Sequence, residues 1–88
     1  MTWTIRVSSK AENYFNKLDR TLKKRVKKEL TELAECDDPL SHENVRSLTG
    51  DLRGFARLRI GNYRIIFALV KETKTIAVVN IAPRGDAY

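Results

Sequence analysis

The chain has 88 residues, enough for one domain spanning 1–88 with a single core and too few for two. Its 42% hydrophobic and 32% charged residues fit a folded globular protein, and the apolar stretches 65–70 and 76–79 need burial, which excludes a disordered chain. Seventeen basic against eleven acidic residues give a formal charge of +6, so the expected partner is a polyanion (nucleic acid, an acidic protein or an anionic membrane surface), the alternative being a solvated basic surface that keeps the protein soluble.

Residues 2–7 alternate, with Trp3, Ile5 and Val7 on one side, and predict a half-buried strand. Ser9 followed by Glu12 is a capping-box pattern that predicts a helix start, because each side chain can satisfy an orphan backbone donor. The stripe Ala11, Tyr14, Phe15 and Leu18 then has helical spacing. Asp19 is expected to cap a second helix whose inward face reads Leu22, Val26, Leu30, Leu33 and Ala34. Asp37-Asp38-Pro39 should stop it, since proline cannot donate and pushes its predecessor out of helical geometry. Residues 40–54 are loop-like, with a short extended piece around 45–48. From Phe55 onward the pattern is β. Gly61-Asn62 marks a two-residue hairpin turn, 71–74 a second turn, and 75–83 a last strand. The order βααβββ predicts an α+β fold, a two-helix hairpin packed on a small, mainly antiparallel sheet.

The second helix bunches Lys23, Lys24, Arg25, Lys27 and Lys28 early and Glu29, Glu32 and Glu35 late. That order opposes the helix dipole, at about 0.3–1 kcal/mol per charge. A surface that meets nucleic acid or an acidic partner accounts for it, and so does a solvated face bearing a small local cost.

The hairpin is more informative. A two-residue Gly61-Asn62 loop sets Ile60 against Tyr63 and therefore Arg59 against Arg64, and strand alternation puts Arg57 on the same face. Leu58, Ile60, Tyr63, Ile65 and Phe67 fall on the other, apolar face. Like charges directly opposite each other destabilise a sheet by about 0.2–1 kcal/mol, and an anion among them relieves this. Guanidinium groups grip phosphate bidentately and stay charged, so the face reads as a phosphate-binding platform. Whether Arg84 joins it depends on register: a three-residue second turn puts Arg84 with Arg64, a four-residue turn puts it behind.

Other chemistry is sparse. His42, the sole histidine, sits in a polar loop and reads as an ordinary surface residue. The single cysteine, Cys36, allows no intramolecular disulfide and no cysteine-built zinc site. There is no glycine-rich phosphate loop and no zinc-protease motif. The longest apolar run, 65–70, is too short to span a membrane, and the N-terminus lacks the pattern of a signal peptide, so a cytoplasmic protein is expected. An enzyme built this way works through arginine charge and needs neither metal nor small-molecule cofactor.

The block Leu48-Thr49-Gly50-Asp51-Leu52-Arg53-Gly54-Phe55-Ala56-Arg57-Leu58-Arg59-Ile60-Gly61-Asn62-Tyr63-Arg64-Ile65-Ile66-Phe67 resembles the signature of the RelE/ParE toxin superfamily. The ending Ile81-Ala82-Pro83-Arg84-Gly85-Asp86-Ala87-Tyr88 is similar to that family's closing arginine and tyrosine. The resemblance implies the toxin of a type II toxin–antitoxin system, held inactive by a RelB-like antitoxin. In the RelE-like branch it implies a metal-independent endoribonuclease that cuts messenger RNA in the ribosomal A site through 2′-hydroxyl attack. By matching positions, Arg64 would stabilise the transition state and Arg84 the phosphate or leaving oxygen. Tyr88 would orient the RNA, and Arg57 and Arg59 would bind and polarise the scissile phosphate. Arg53, Lys23, Lys24 and Lys27 are the further candidates for RNA or phosphate binding. Arg57 stands where some relatives carry a lysine that serves as general base, and arginine is a poor base at neutral pH. The alternatives on the same fold are a ParE-like gyrase inhibitor and a catalytically inactive RNA-binding relative.

Overall fold

Three consecutive β-patterned runs and two amphipathic helices need one shared core, and the computed structural model, which describes residues 2–83, supplies it. Strand β1 (Thr4–Val7) leads into helices α1 (Ser9–Asn16) and α2 (Arg20–Glu35). Strands β2 (Val45–Ser47), β3 (Phe55–Ile60), β4 (Tyr63–Val70) and β5 (Thr75–Pro83) follow. They form a five-stranded sheet in the order β1-β5-β4-β3-β2, with β1 parallel to β5 and the other pairs antiparallel. The expected α+β layering is therefore present, with the short extended piece forming a fifth, edge strand.

The helix pair covers one face of the sheet. Ala11, Val26, Leu33, Leu58, Ile65, Phe67 and Ile76 are completely buried in a single cluster, and Tyr14, Phe15 and Leu18 pack against it. At the start of the chain, Trp3 N–H donates to the Ala34 carbonyl (2.8 Å) and its indole N–H to that of Asp37 (3.3 Å), tying the first strand to the end of α2. Val7 departs from expectation: at 42% exposure it borders an open groove and is not sealed in the core. Asp19 caps α2 as its sequence predicts, its carboxylate accepting from Leu22 N–H at 2.8 Å. No helix among the described residues is long and apolar enough to cross a membrane.

The cap of α1 corrects the sequence reading. Ser8, not Ser9, is the capping residue, and its Oγ accepts from Ala11 N–H at 3.1 Å. The same hydroxyl donates to the Val79 carbonyl at 3.0 Å, while Ser8 N–H donates to Val78. Val79 is the extra residue of a β-bulge: Phe67 pairs with Val78, but Ile66 pairs with Asn80. A single hydroxyl thus ends β1, starts α1 and anchors the bulge. Ser8→Ala is expected to destabilise the fold by about 1–2 kcal/mol, read as a lower urea midpoint with unchanged slope.

The bulge also decides the register that the sequence left open. The turn between β4 and β5 has four residues, with Val70 opposite Thr75. Carried through without a bulge, it would set Ile81 across from Arg64. The extra residue sets Ala82 there instead, the register of the shorter turn. Arg84 itself lies outside the described residues.

Candidate functional site

The arginine face is built by two turns and two registers. Gly61 takes φ +55° and no other residue of its turn has positive φ, the pattern of a type II′ hairpin. A side chain at Gly61 would also meet the Arg25 guanidinium at 3.2 Å, so α2 presses on the turn from the helix side. This tight turn pairs Ile60 with Tyr63 and Arg59 with Arg64, as the sequence predicts. Strand β2 then adds a residue that sequence reasoning missed: Arg46 lies directly opposite Arg57. The signal was present in the alternation of Val45 inward and Arg46 outward, but the partner strand of so short a segment is set by non-local pairing.

Residues paired across antiparallel strands share a face, so Arg46, Arg57, Arg59 and Arg64 all stand on the side away from the helices. They form two cross-strand pairs two residues apart along β3, a separation of roughly 7 Å. That is comparable to the distance between adjacent phosphates of an extended ribonucleotide strand. Between and beside them lie Ile66, opposite Arg57, and Ala82, opposite Arg64, only 2% and 6% exposed. The charges therefore surround a small apolar floor.

The Arg46 and Arg57 guanidinium groups are oriented by main-chain carbonyls of residues 43–45, at the entry to β2. Arg46 Nη1 donates to Val45 O (3.0 Å) and Glu43 O (3.3 Å), and Arg57 Nη1 donates to Asn44 O (3.4 Å). Asn44 O also accepts from the Arg59 backbone N–H at 3.0 Å. Among the described residues, no carboxylate pairs with Arg46, Arg57 or Arg59. Such a face is suited to one class of ligand, an anion with several oxygens, and among the described residues its four arginines offer no group able to act as a general base near neutrality.

The remaining sequence candidates lie elsewhere. Lys23, Lys24 and Lys27 are on α2, in the other layer. Lys27 Nζ sits 5.8 Å from the centre of the Phe15 ring. Arg53 follows a short 3-10 turn over Gly50–Leu52, at the end of β3 remote from the hairpin turn, and borders a depression with Phe55 and Lys71. Tyr88, like Arg84, lies outside the described residues. A second surface feature is an apolar groove of ≈ 370 Å³ between α1, α2 and the edge strand β1, lined by Ile5, Val7, Phe15, Leu30 and Val78 with Lys27 at its rim.

Fold and site together define a small basic protein in which a helix hairpin backs a sheet that presents arginines from its open face. Residues 5–88 match the family described as the ParE toxin of type II toxin–antitoxin system, parDE, and the chain belongs to that family. It is a toxin of the RelE/ParE superfamily. Among solved structures it is similar to the RelE of the archaeal RelE–RelB complex from Pyrococcus horikoshii, with 26% identity and TM-score 0.79 over 99% of this chain and 100% of that one. The intact E. coli RelBE toxin–antitoxin complex gives 17% identity and TM-score 0.76 over 97% and 99%. The YoeB/ParE toxin from Agrobacterium tumefaciens gives 10% identity and TM-score 0.78 over 92% and 98%. No curated protein sequence matches the chain.

Proposed function

We propose that this toxin is a ribosome-dependent messenger RNA endonuclease, working in the cytoplasm, that cuts in the A site and stops translation. The observation that carries the reading is the pairing of Arg59 with Arg64 beside Arg46 with Arg57 on one open sheet face. In the reaction, the 2′-oxygen bonds to the adjacent phosphorus and the P–O5′ bond breaks, leaving a 2′,3′-cyclic phosphate and a 5′-hydroxyl. The 2′-hydroxyl gives up its proton and the 5′-oxygen gains one. Negative charge grows on the phosphoryl oxygens in between, and fixed guanidinium groups oppose that charge without reorganising. Arg59 and Arg64 hold the scissile phosphate, with Arg64 as the main transition-state partner. Arg46 and Arg57 hold the neighbouring one and keep the strand extended. Arg57 acts as a charge and not as a base. The proton from the 2′-hydroxyl goes to a group outside the four arginines, with Tyr88 or a ribosomal group as the acceptor, the departing 5′-oxygen takes its proton from water, and Arg84 joins the phosphate set.

The same reading implies a cognate RelB-like antitoxin. A chain of +6 with an apolar groove rimmed by Lys27 suits an acidic, amphipathic segment laid along α1, α2 and the free edge of β1. Relatives from P. horikoshii and E. coli are described in complex with RelB-type partners.

The test is a purified translation reaction followed by primer extension on the messenger. Ribosome-dependent cuts are expected in the presence of the wild-type chain. The family match carries the name of the gyrase-directed branch, which favours a second reading as a gyrase inhibitor. Intact messenger together with loss of DNA supercoiling activity would select that reading. Intact messenger and unaffected gyrase would leave an inactive relative.

A further inference from the structure

Glu29 and Glu32 are three residues apart on α2, close to one helical turn, so both project from the same side. The chain reverses at Asp38, whose carboxylate caps the 3-10 turn Pro39–Ser41, and this returns His42 to that side of the helix. One ligand atom from each of Glu29, Glu32 and His42 lies within 4.8 Å of the other two. Glu29 and His42 are half-buried. Among the described residues, neither carboxylate is paired with a lysine or arginine, in a chain holding seventeen of them, and no hydrogen bond joins His42 to either glutamate. Donor atoms within 4.8 Å of one another can all be reached by one ion at roughly 2–3 Å, the span of metal–nitrogen and metal–oxygen bonds. Sequence spacing conceals this trio, because only the turn at Pro39 closes the distance.

We propose that Glu29, Glu32 and His42 form a binding site for a divalent first-row cation, with Zn²⁺ the ion best suited to one imidazole and two carboxylates. His42 Nδ1 accepts from Asn44 N–H at 3.1 Å, which leaves Nε2 as the nitrogen for the ion. An ion on Nε2 moves the ring proton to Nδ1, where it faces the Asn44 N–H, so binding breaks that hydrogen bond. The affinity is accordingly below that of a preformed zinc site, and the Asn44 amide reports occupancy. Asn44 is also the residue whose carbonyl holds Arg57 and the backbone of Arg59, so the ion bears on the segment that orients the arginine face. The assignment of the ion site does not rest on the cleavage reading.

The experiment is titration of the full, tag-free chain with Zn²⁺ alone. His42 is the only histidine, so its imidazole resonances are read without ambiguity. Saturable one-to-one movement of those resonances and of the Asn44 amide is expected, with the melting temperature raised by about 5 °C at saturation. Glu32→Gln should abolish both effects and His42→Ala the melting shift, each variant melting normally without metal. Cys36→Ser should keep them, because the sole thiol is not a ligand here. The absence of a saturable shift, an equal response in the Glu32 and His42 variants, or loss of the response in Cys36→Ser would overturn the assignment.

Discussion

Arg64→Ala is expected to lower the rate of messenger cleavage by about 10²–10³-fold, the usual consequence of removing one fixed donor from a developing oxyanion. The side chain stands on the open face, opposite Arg59 and beside Ala82, and outside the helix-covered core. The variant should therefore keep its circular dichroism and cooperative unfolding. Arg64→Lys restores a point charge without the bidentate fork and should recover only part of the loss. Single-turnover cleavage on programmed ribosomes makes the comparison, because it separates chemistry from binding. A loss confined to affinity would assign Arg64 to ground-state holding.

Phe67→Ala should act on the fold alone and strongly. Phe67 is completely buried at the centre of β4, paired with Ala56 on one side and Val78 on the other, at the bulge. Truncation removes an aromatic ring and leaves a cavity that strands on both sides hinder from collapsing, at about 3–5 kcal/mol. A domain of this size has roughly 4–13 kcal/mol in total, so the melting temperature should fall by more than about 15 °C. Val7→Ala, at an exposed position beside the groove, should stay within about 0.5 kcal/mol of wild type. Urea denaturation of the two variants checks both figures. Near-equal losses would mean that the groove side, not the sheet centre, holds the core.

Local chemistry made much of this legible in advance. The Gly61-Asn62 turn fixes its hairpin through two residues, so the opposition of Arg59 and Arg64 follows from spacing alone. Asp19 caps α2 for an equally local reason. Features that depend on distant partners were not readable. The choice of Ser8 over Ser9 rests on the Val79 carbonyl, about seventy residues away in sequence, which needs the same hydroxyl. The bulge at Val79 reverses the register that a four-residue turn would set, and nothing in the turn announces it. Arg46 joined the arginine face only through the pairing of a three-residue edge strand. The basic first half of α2 was legible as charge, but its placement in the layer opposite the arginines was not. For the site, the sequence supplied the chemistry of the hairpin and missed its neighbour.

That separation of layers makes the central claim directly testable. Arg59→Ala/Arg64→Ala and Lys24→Ala/Lys27→Ala remove the same two positive charges, one pair from the open sheet face and the other from α2. Both doubles and the wild type should be assayed together for ribosome-dependent cleavage by primer extension. If the sheet face is the working surface, the arginine double is silent and the lysine double cuts within a few-fold of wild type. Equal losses in the two doubles would contradict that account and reduce the arginines to a share of the overall charge.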